Sequence, residues 1–420
     1  MRYGYICFFL LLNQLLFSQL PSLIPFRDKD GWGFADTSGK IIIPTQYDTI
    51  SFFENDFAIY KIGPVYGFLS MNKKDKKFES GIEPIEISDE CIIARSNGKL
   101  GLMSYGRKWL VQPQFDRIDA FEHGLAIVCA DGKCGMMDVH GKIKVPLKYM
   151  IDIHALSGGL ACVSIDDKFG YVNKNGKEII PLKYDNVSTF EHGKARVMKN
   201  GKWGVVDSLG HEVIELVYNQ LNSLREGFFG AELNGRAGFL DSTGKVSVAF
   251  KYEKVGSFSE DRVWVYAYNY YGFLDKKGDE KIGLKYEQVD DFHNQRAAVF
   301  KEKKWGFVDP DGHELIPLQF DKVDNFSEYH AVVSMGDKWG MIDTTGKIVA
   351  PMIYDFAGTM MNGFSRIIRN GKYGYIDASG REVIAPKYDD AEDFQPGLTK
   401  VKSSGKWGFI DKYGREYFTR

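Results

Sequence analysis

Aspartate recurs in step along this chain, at Asp36, Asp138, Asp207, Asp241, Asp275, Asp309, Asp343, Asp377 and Asp411, with Asn173 in the same phase, and each is followed three residues later by glycine. Repeated aspartate and glycine raise the question of calcium, but that ion takes six or more oxygens and one carboxylate per repeat supplies too few. The pattern reads instead as a tight turn, in which the carboxylate caps backbone N–H groups and the glycine adopts a positive φ. Eight histidines, His123, His140, His154, His192, His211, His293, His313 and His330, fall at scattered phases and match no metal or triad spacing, so they read as solvated turn residues. Beyond residue 19 there are four cysteines, Cys91, Cys129, Cys134 and Cys162, without the histidines or spacing of a zinc site. Buried or free thiols are the simplest reading; a bridge from Cys129 to Cys134 across the turn "ADGK" is the alternative. No phosphate-binding glycine loop or serine elbow is present. The chain is therefore expected to hold no catalytic residue, no metal and no cofactor.

Two ladders of basic residues point to binding rather than catalysis. One comprises Lys99, Lys133, Lys168, Lys202, Arg236, Lys304, Lys338, Lys372 and Lys406; the other comprises Lys40, Lys142, Lys177, Lys245, Lys347, Arg381 and Arg415. A row of cations can hold an anionic glycan or an acidic protein through many weak contacts, which makes Lys202, Lys304, Lys338, Lys372 and Lys406 a candidate ligand surface. Opposing this, 54 Lys and Arg stand against 56 Asp and Glu, so carboxylates must lie close by and self-compensated charge is favoured. The same balance excludes a nucleic-acid footprint.

What must position these residues is a repeat. Gly33, Gly67, Gly101, Gly135, Gly170, Gly204, Gly238, Gly272, Gly306, Gly340, Gly374 and Gly408 are separated by 34 residues, once by 35. The residue before is aromatic in nine units: Trp32, Tyr66, Phe169, Trp203, Tyr271, Trp305, Trp339, Tyr373 and Trp407. Short alternating runs such as "ARVMK", "WGVVD" and "HEVIE", divided by turns such as "KNGK", predict three antiparallel strands per unit. The connections carry rings in phase, Tyr184 with Phe190, Tyr252 with Phe258, Phe320 with Phe326 and Tyr388 with Phe394, and are expected to belong to the core. Glycine beside an aromatic suggests that a ring from the neighbouring strand or unit lies flat on bare backbone. Each ring so buried would contribute on the order of 2 to 3 kcal/mol. A core role for the aromatic row is favoured over an exposed row that stacks on sugars.

Units such as "GKWGFIDKYGREYF" and "GKWGVVDSLGHEVIELVYNQ" resemble the WG-repeat family of bacterial proteins, over about residues 20–420. The resemblance implies a non-enzymatic β-repeat array at or beyond the cell membrane, with no ligand and no catalytic residue to carry over. The second unit departs most, since Gly67 is followed by neither the aspartate nor the turn glycine; Leu100 and Cys134 weaken the third and fourth. Residues 1–19, with Arg2 before the apolar run "YICFFLLLNQLLF", have the plan of a secretory signal peptide, and no later segment is long and apolar enough to span a membrane. The expectation is thus an exported all-β array of about twelve three-stranded units over residues 20–420, extended and solenoid-like, with closed propeller-like rings as the alternative. Its expected work is non-enzymatic binding of protein or glycan at the cell envelope; a purely structural spacer is the alternative, and an enzyme with a loop-built site is disfavoured because each residue type is spread over all units.

Overall fold

The computed structural model describes residues 20–419 except 55, 73, 74, 89 and 151–155; the expected leader, residues 1–19, lies outside the described residues. Among the described residues there are 45 strands in twelve sheets and no helix. We number the blades 1 to 12 by the repeated glycines, Gly33 to Gly408.

Blade 6 shows how the sequence builds a unit. Lys194–Lys199, Lys202–Asp207 and Glu212–Tyr218 pair antiparallel in chain order. Apolar residues at adjacent positions face opposite sides, as strand pleating requires. Val206 packs with Tyr171 and Ile180 of blade 5, whereas Val205 packs with Leu221, Phe229 and Leu240 of blade 7. Both faces of the sheet are therefore covered by neighbouring blades. After one residue, Asn219, the third strand runs on into Gln220–Leu221, which pairs with the first strand of blade 7, Phe228–Leu233. A single extended run thus belongs to two sheets and stitches them together.

The aspartate turns form as the sequence indicates. Asp36 Oδ1 accepts from the N–H groups of Ser38 (2.8 Å) and Lys40 (3.0 Å), and Gly39 has φ 86°. The same geometry recurs at Asp207, Asp241, Asp309 and Asp377. The connection rings are buried: Tyr184, Phe190, Tyr252, Phe258, Phe320, Phe326, Tyr388 and Phe394 all lie in the core.

The extended array expected as first choice is overturned: the twelve blades form a closed, propeller-like ring. Blade 1 begins with Ile24–Asp28, and among the described residues no two-residue crossover strand precedes it, so the outer edge of its first strand needs another partner. The C-terminal segment covers that edge. Tyr417 N–H donates to Phe409 O in blade 12 (2.8 Å), while Arg27 N–H donates to Tyr417 O (3.1 Å) and Thr419 N–H donates to Arg27 O (2.9 Å). Around this seam Ile24, Phe26 and Ala35 pack with Leu398, Phe409 and Tyr417. Arg415 also donates through its guanidinium to Thr37 O. The two ends thus complete each other, through a parallel bridge from Arg27 to Phe418 where most other blades are joined by a short antiparallel crossover strand.

The role expected for the repeated glycine also needs correction. In blade 6 Trp203 pairs with Tyr218 and Val205 with Ile214, so the third strand spends four steps where the middle strand spends two. The excess bulges across Gly204. A Cβ there would lie 2.6 Å from Ile214 O, and backbone carbonyls come within 2.6 Å of the same point at Gly33, Gly170, Gly272, Gly306, Gly340 and Gly374. It is backbone of the same blade, not a ring, that needs the bare position. Only at Gly67 and Gly408 does a ring occupy it, from Tyr60 and Phe418, and in those blades the bulged strand is absent or cut short.

Candidate binding surface

The hairpin tips between first and middle strands carry the candidate lysines, and most of these are engaged. Lys304 Nζ meets Asp321 at 2.5 Å, Lys338 meets Asp355 at 2.5 Å, and Lys372 meets Asp389 at 2.7 Å. Lys99 with Asp116 and Lys168 with Asp185 repeat the pattern. Each aspartate follows the last ring of its third strand, and its second oxygen accepts an N–H from the next blade's hairpin: Asp321 from Gly336 (2.6 Å), Asp355 from Asn370 (2.7 Å), Asp185 from Asn200 (2.6 Å). The lysine ladder is thus half of an inter-blade clasp. Lys202 has no such partner, because Asn219 stands where the aspartate would, and Lys406 stands at the hairpin tip of blade 12 opposite Ser403.

The clasp lysines hold the carboxyls of Asp116, Asp185, Asp321, Asp355 and Asp389 below their ordinary range, aided by the N–H bonds. Hydroxyl bonds from Ser38 and Thr243 do the same for turn residues Asp36 and Asp241. A carboxyl whose folded value is depressed stabilises the fold above its unfolded value, about pH 4, and loses that contribution as pH falls through the folded value. Burial raises only Glu54, Glu86 and Asp291 among the carboxyls with a resolved shift, so they offset little. The thermal midpoint is expected to be flat from pH 7 to about 5 and to fall steeply below about 4; a midpoint that rises on acidification would contradict the clasp.

The aromatic row lies half-buried rather than in the deep core. Trp32 sits 6.1 Å from Phe409 across the seam, Trp305 is 5.1 Å from Phe300, Trp339 is 6.4 Å from Phe356, and Tyr271 is 4.7 Å from Tyr266. Cations cover others: Arg196 over Trp203, Lys61 over Tyr66, Arg366 over Tyr373 and Lys402 over Trp407. Phe169 pairs with Ser164 and Tyr184 on its flanking strands. The row that lies in the core is a different one, fourteen residues after the glycine: Tyr47, Phe115, Tyr149, Tyr184, Tyr218, Tyr252, Tyr286, Phe320, Tyr354 and Tyr388. Three of its hydroxyls donate to the next blade's third strand, Tyr286 to Glu314 (3.0 Å), Tyr354 to Glu382 (3.0 Å) and Tyr388 to Glu416 (2.9 Å). Burial, with the bond to Glu382, pushes Tyr354 up to about 12. Tyr184 OH is buried without a hydrogen-bond partner. Tyr286→Phe is therefore expected to cost about 1.5 kcal/mol and Tyr184→Phe close to nothing, a contrast that denaturant unfolding of the two variants will measure.

The exposed rings are ones the sequence reading did not single out. Tyr268 (82% exposed) and Tyr270 (44%) flank the hairpin tip of blade 8, and Tyr329 and Tyr413 project from turns. The available signal was Tyr270 itself, which stands at the lysine-ladder position.

In blade 4 the ring is replaced by a disulfide. Cys129 and Cys134 face each other across the hairpin and are bonded, with Cα atoms 4.0 Å apart. The alternative pairing is thus the one formed, while Cys91 is a buried thiol that burial pushes up. Opening so short a loop is expected to cost roughly 2 kcal/mol, seen as a lower denaturation midpoint under reductant that Cys129→Ser and Cys134→Ser together reproduce. His211 and His313 turn back on their own turn aspartates, Asp207 and Asp309. No group of His, Cys, Asp or Glu among the described residues is arranged to hold a metal, and no described helix is long and apolar enough to cross a membrane.

Twelve small sheets in a closed ring, nine of them marked by an aromatic and glycine pair, define a propeller-like repeat protein. The WG containing repeat matches nine times, at residues 32–63, 101–134, 169–203, 203–236, 238–269, 271–305, 305–339, 339–373 and 373–407, and the chain belongs to this family. No match begins at blades 2, 4 or 12, where the bulge is missing, a cysteine replaces the ring, or the third strand is cut short. No curated protein is significantly similar in sequence. Similar solved structures include a eukaryotic initiation factor (12% identity, 78% of this chain, 94% of that one, TM-score 0.40). Others are the extracellular domain of a hybrid two-component system from B. thetaiotaomicron (11%, 91% and 66%, TM-score 0.27) and PorZ, a surface component of the type-IX secretion system of Porphyromonas gingivalis (10%, 84% and 63%, TM-score 0.23). Likeness at this level carries nothing about function to the present chain.

Proposed function

We propose that this protein is a non-enzymatic scaffold, exported from the cytoplasm, that binds protein or glycan at the cell envelope through the hairpin-tip face of its ring. The observation that carries the reading is the division of labour among repeated residues. The clasp aspartates with their lysines, and the buried tyrosines, hold blade to blade, whereas departures from the repeat, among them Lys202 on blade 6 and the exposed Tyr268 and Tyr270 on blade 8, stand on hairpin tips. The signal-like residues 1–19 and the Cys129–Cys134 bond, which suits an oxidising compartment, support export. A spacer keeps its ends apart, and here Arg27 pairs with Phe418, so that role draws no support. The test is to incubate the purified chain from residue 20 onward with a panel of envelope polysaccharides and their oligomers. Saturable binding with every oligomer recovered intact is expected; release of cleaved or modified sugar would overturn the non-enzymatic reading. Export is tested separately, by sequencing the N-terminus of the protein recovered from outside the cytoplasm, where a start near Leu20 is expected and an intact Met1 would contradict it.

A further inference from the structure

On blade 6 the binding reading can be narrowed to a site. Lys199 and Lys202 stand directly opposite each other across the hairpin, an arrangement of like charges that is unfavourable unless neutralised. Blade 11 has the same pair, Arg369 and Lys372, and there each is matched by a carboxylate, Glu382 at 2.6 Å and Asp389 at 2.7 Å. In blade 9 Lys304 is likewise matched by Asp321. Neither Lys199 nor Lys202 has an ion pair among the described residues, and Asn219 replaces the clasp aspartate. A second departure lies on the third strand. Tyr286, Tyr354 and Tyr388 each donate to a glutamate 28 residues on. Glu212 holds that position relative to Tyr184, yet the buried Tyr184 hydroxyl is unpartnered and Glu212 lines a surface cleft instead. Glu215 lines it too, where blades 1, 4, 5, 9 and 10 have proline (Pro44, Pro146, Pro181, Pro317, Pro351). The open cleft, about 520 Å³, is completed by Asn200 and Leu216.

Lys199 and Lys202 bring two ammonium groups to the cleft and Glu212 and Glu215 two carboxylates, none of them in an ion pair among the described residues, so a ligand that carries an anion and several hydrogen-bond donors can meet both. With one apolar residue in six, the lining gives a peptide side chain little to bury, whereas a sugar ring presents hydroxyls all round. We propose that this cleft binds an acidic sugar residue of a glycan, its carboxylate between Lys199 and Lys202 and its hydroxyls donating to Glu212 and Glu215. The proposal rests on the binding-scaffold reading and names a ligand class for it.

Titration calorimetry of the full mature chain with a galacturonic-acid tetramer tests it. Saturable binding is expected, weakened at least tenfold by Lys199→Ala with Lys202→Ala, and at least tenfold for the carboxyl-reduced, neutral tetramer. Glu212→Gln is expected to weaken binding severalfold, and Lys304→Ala, whose lysine sits in a clasp, to leave it unchanged. The substitutions at Lys199, Lys202 and Glu212, none of which breaks an ion pair among the described residues, should leave the denaturation midpoint in place, which each titration can be checked against. Binding that ignores the Lys199 and Lys202 substitutions would remove the site while leaving the scaffold reading intact. An acidic peptide that binds through these lysines when the tetramer does not would overturn the sugar assignment, and absence of binding to any acidic or neutral glycan or peptide would overturn both.

Discussion

Removal of residues 415–420 will open the ring and cost about 6 kcal/mol or more of stability. Tyr417 and Phe418 are buried, and losing two aromatic rings from the core removes about 2 to 3 kcal/mol each. Three backbone hydrogen bonds that join Arg27, Phe409, Tyr417 and Thr419 go with them, at roughly 1 kcal/mol apiece. The truncation also uncovers Ile24, Phe26 and Ala35, which face the seam, and leaves the Ile24–Asp28 edge ready to pair with another molecule. Denaturant unfolding should show the loss, and size-exclusion chromatography should show association. A truncated chain as stable as the parent would mean that the seam contributes nothing.

Gly306→Ala should cost about half as much. The new Cβ would meet Ile316 O at 2.5 Å and backbone of Pro317 at 2.8 Å, and the bulged strand that supplies these atoms is held on both sides by pairing. Overpacking against backbone that cannot turn aside costs on the order of 3 kcal/mol. Gly371→Ala is the control: it has φ 70° with no atom within 4 Å of the added carbon, so it pays only the conformational cost of about 1 kcal/mol. Equal losses at the two positions would show that glycine is kept for its φ rather than for the bulge.

Much of this molecule was legible because it is written twelve times. Period, strand content and the aspartate turns follow from residues close in sequence, where turn chemistry and alternation act locally. The bulge was less visible, although a proline within the third strand, as in "IIIPTQY" and "EIIPLKY", argues against regular pairing there and was the clue to it. The clasp was missed because its halves are seventeen residues apart, Lys304 before the ring and Asp321 after it, and each looks like an ordinary surface charge when read alone. Closure had no local signature at all. Arg27 and Phe418 belong to blades that each look incomplete, and only their meeting explains both. The lone cysteine pair of blade 4 could be placed across a hairpin but not assigned an oxidation state, which depends on the compartment as well as on geometry.

Small-angle scattering of the mature chain in dilute solution tests the closed ring most directly. Twelve blades spaced about 10 Å apart around a circle lie about 19 Å from its axis, so the radius of gyration is expected near 25 Å, a little above the value of about 21 Å for a compact body of this length. A radius of gyration near 35 Å, with the rod-like decay of units stacked over about 120 Å, would contradict closure.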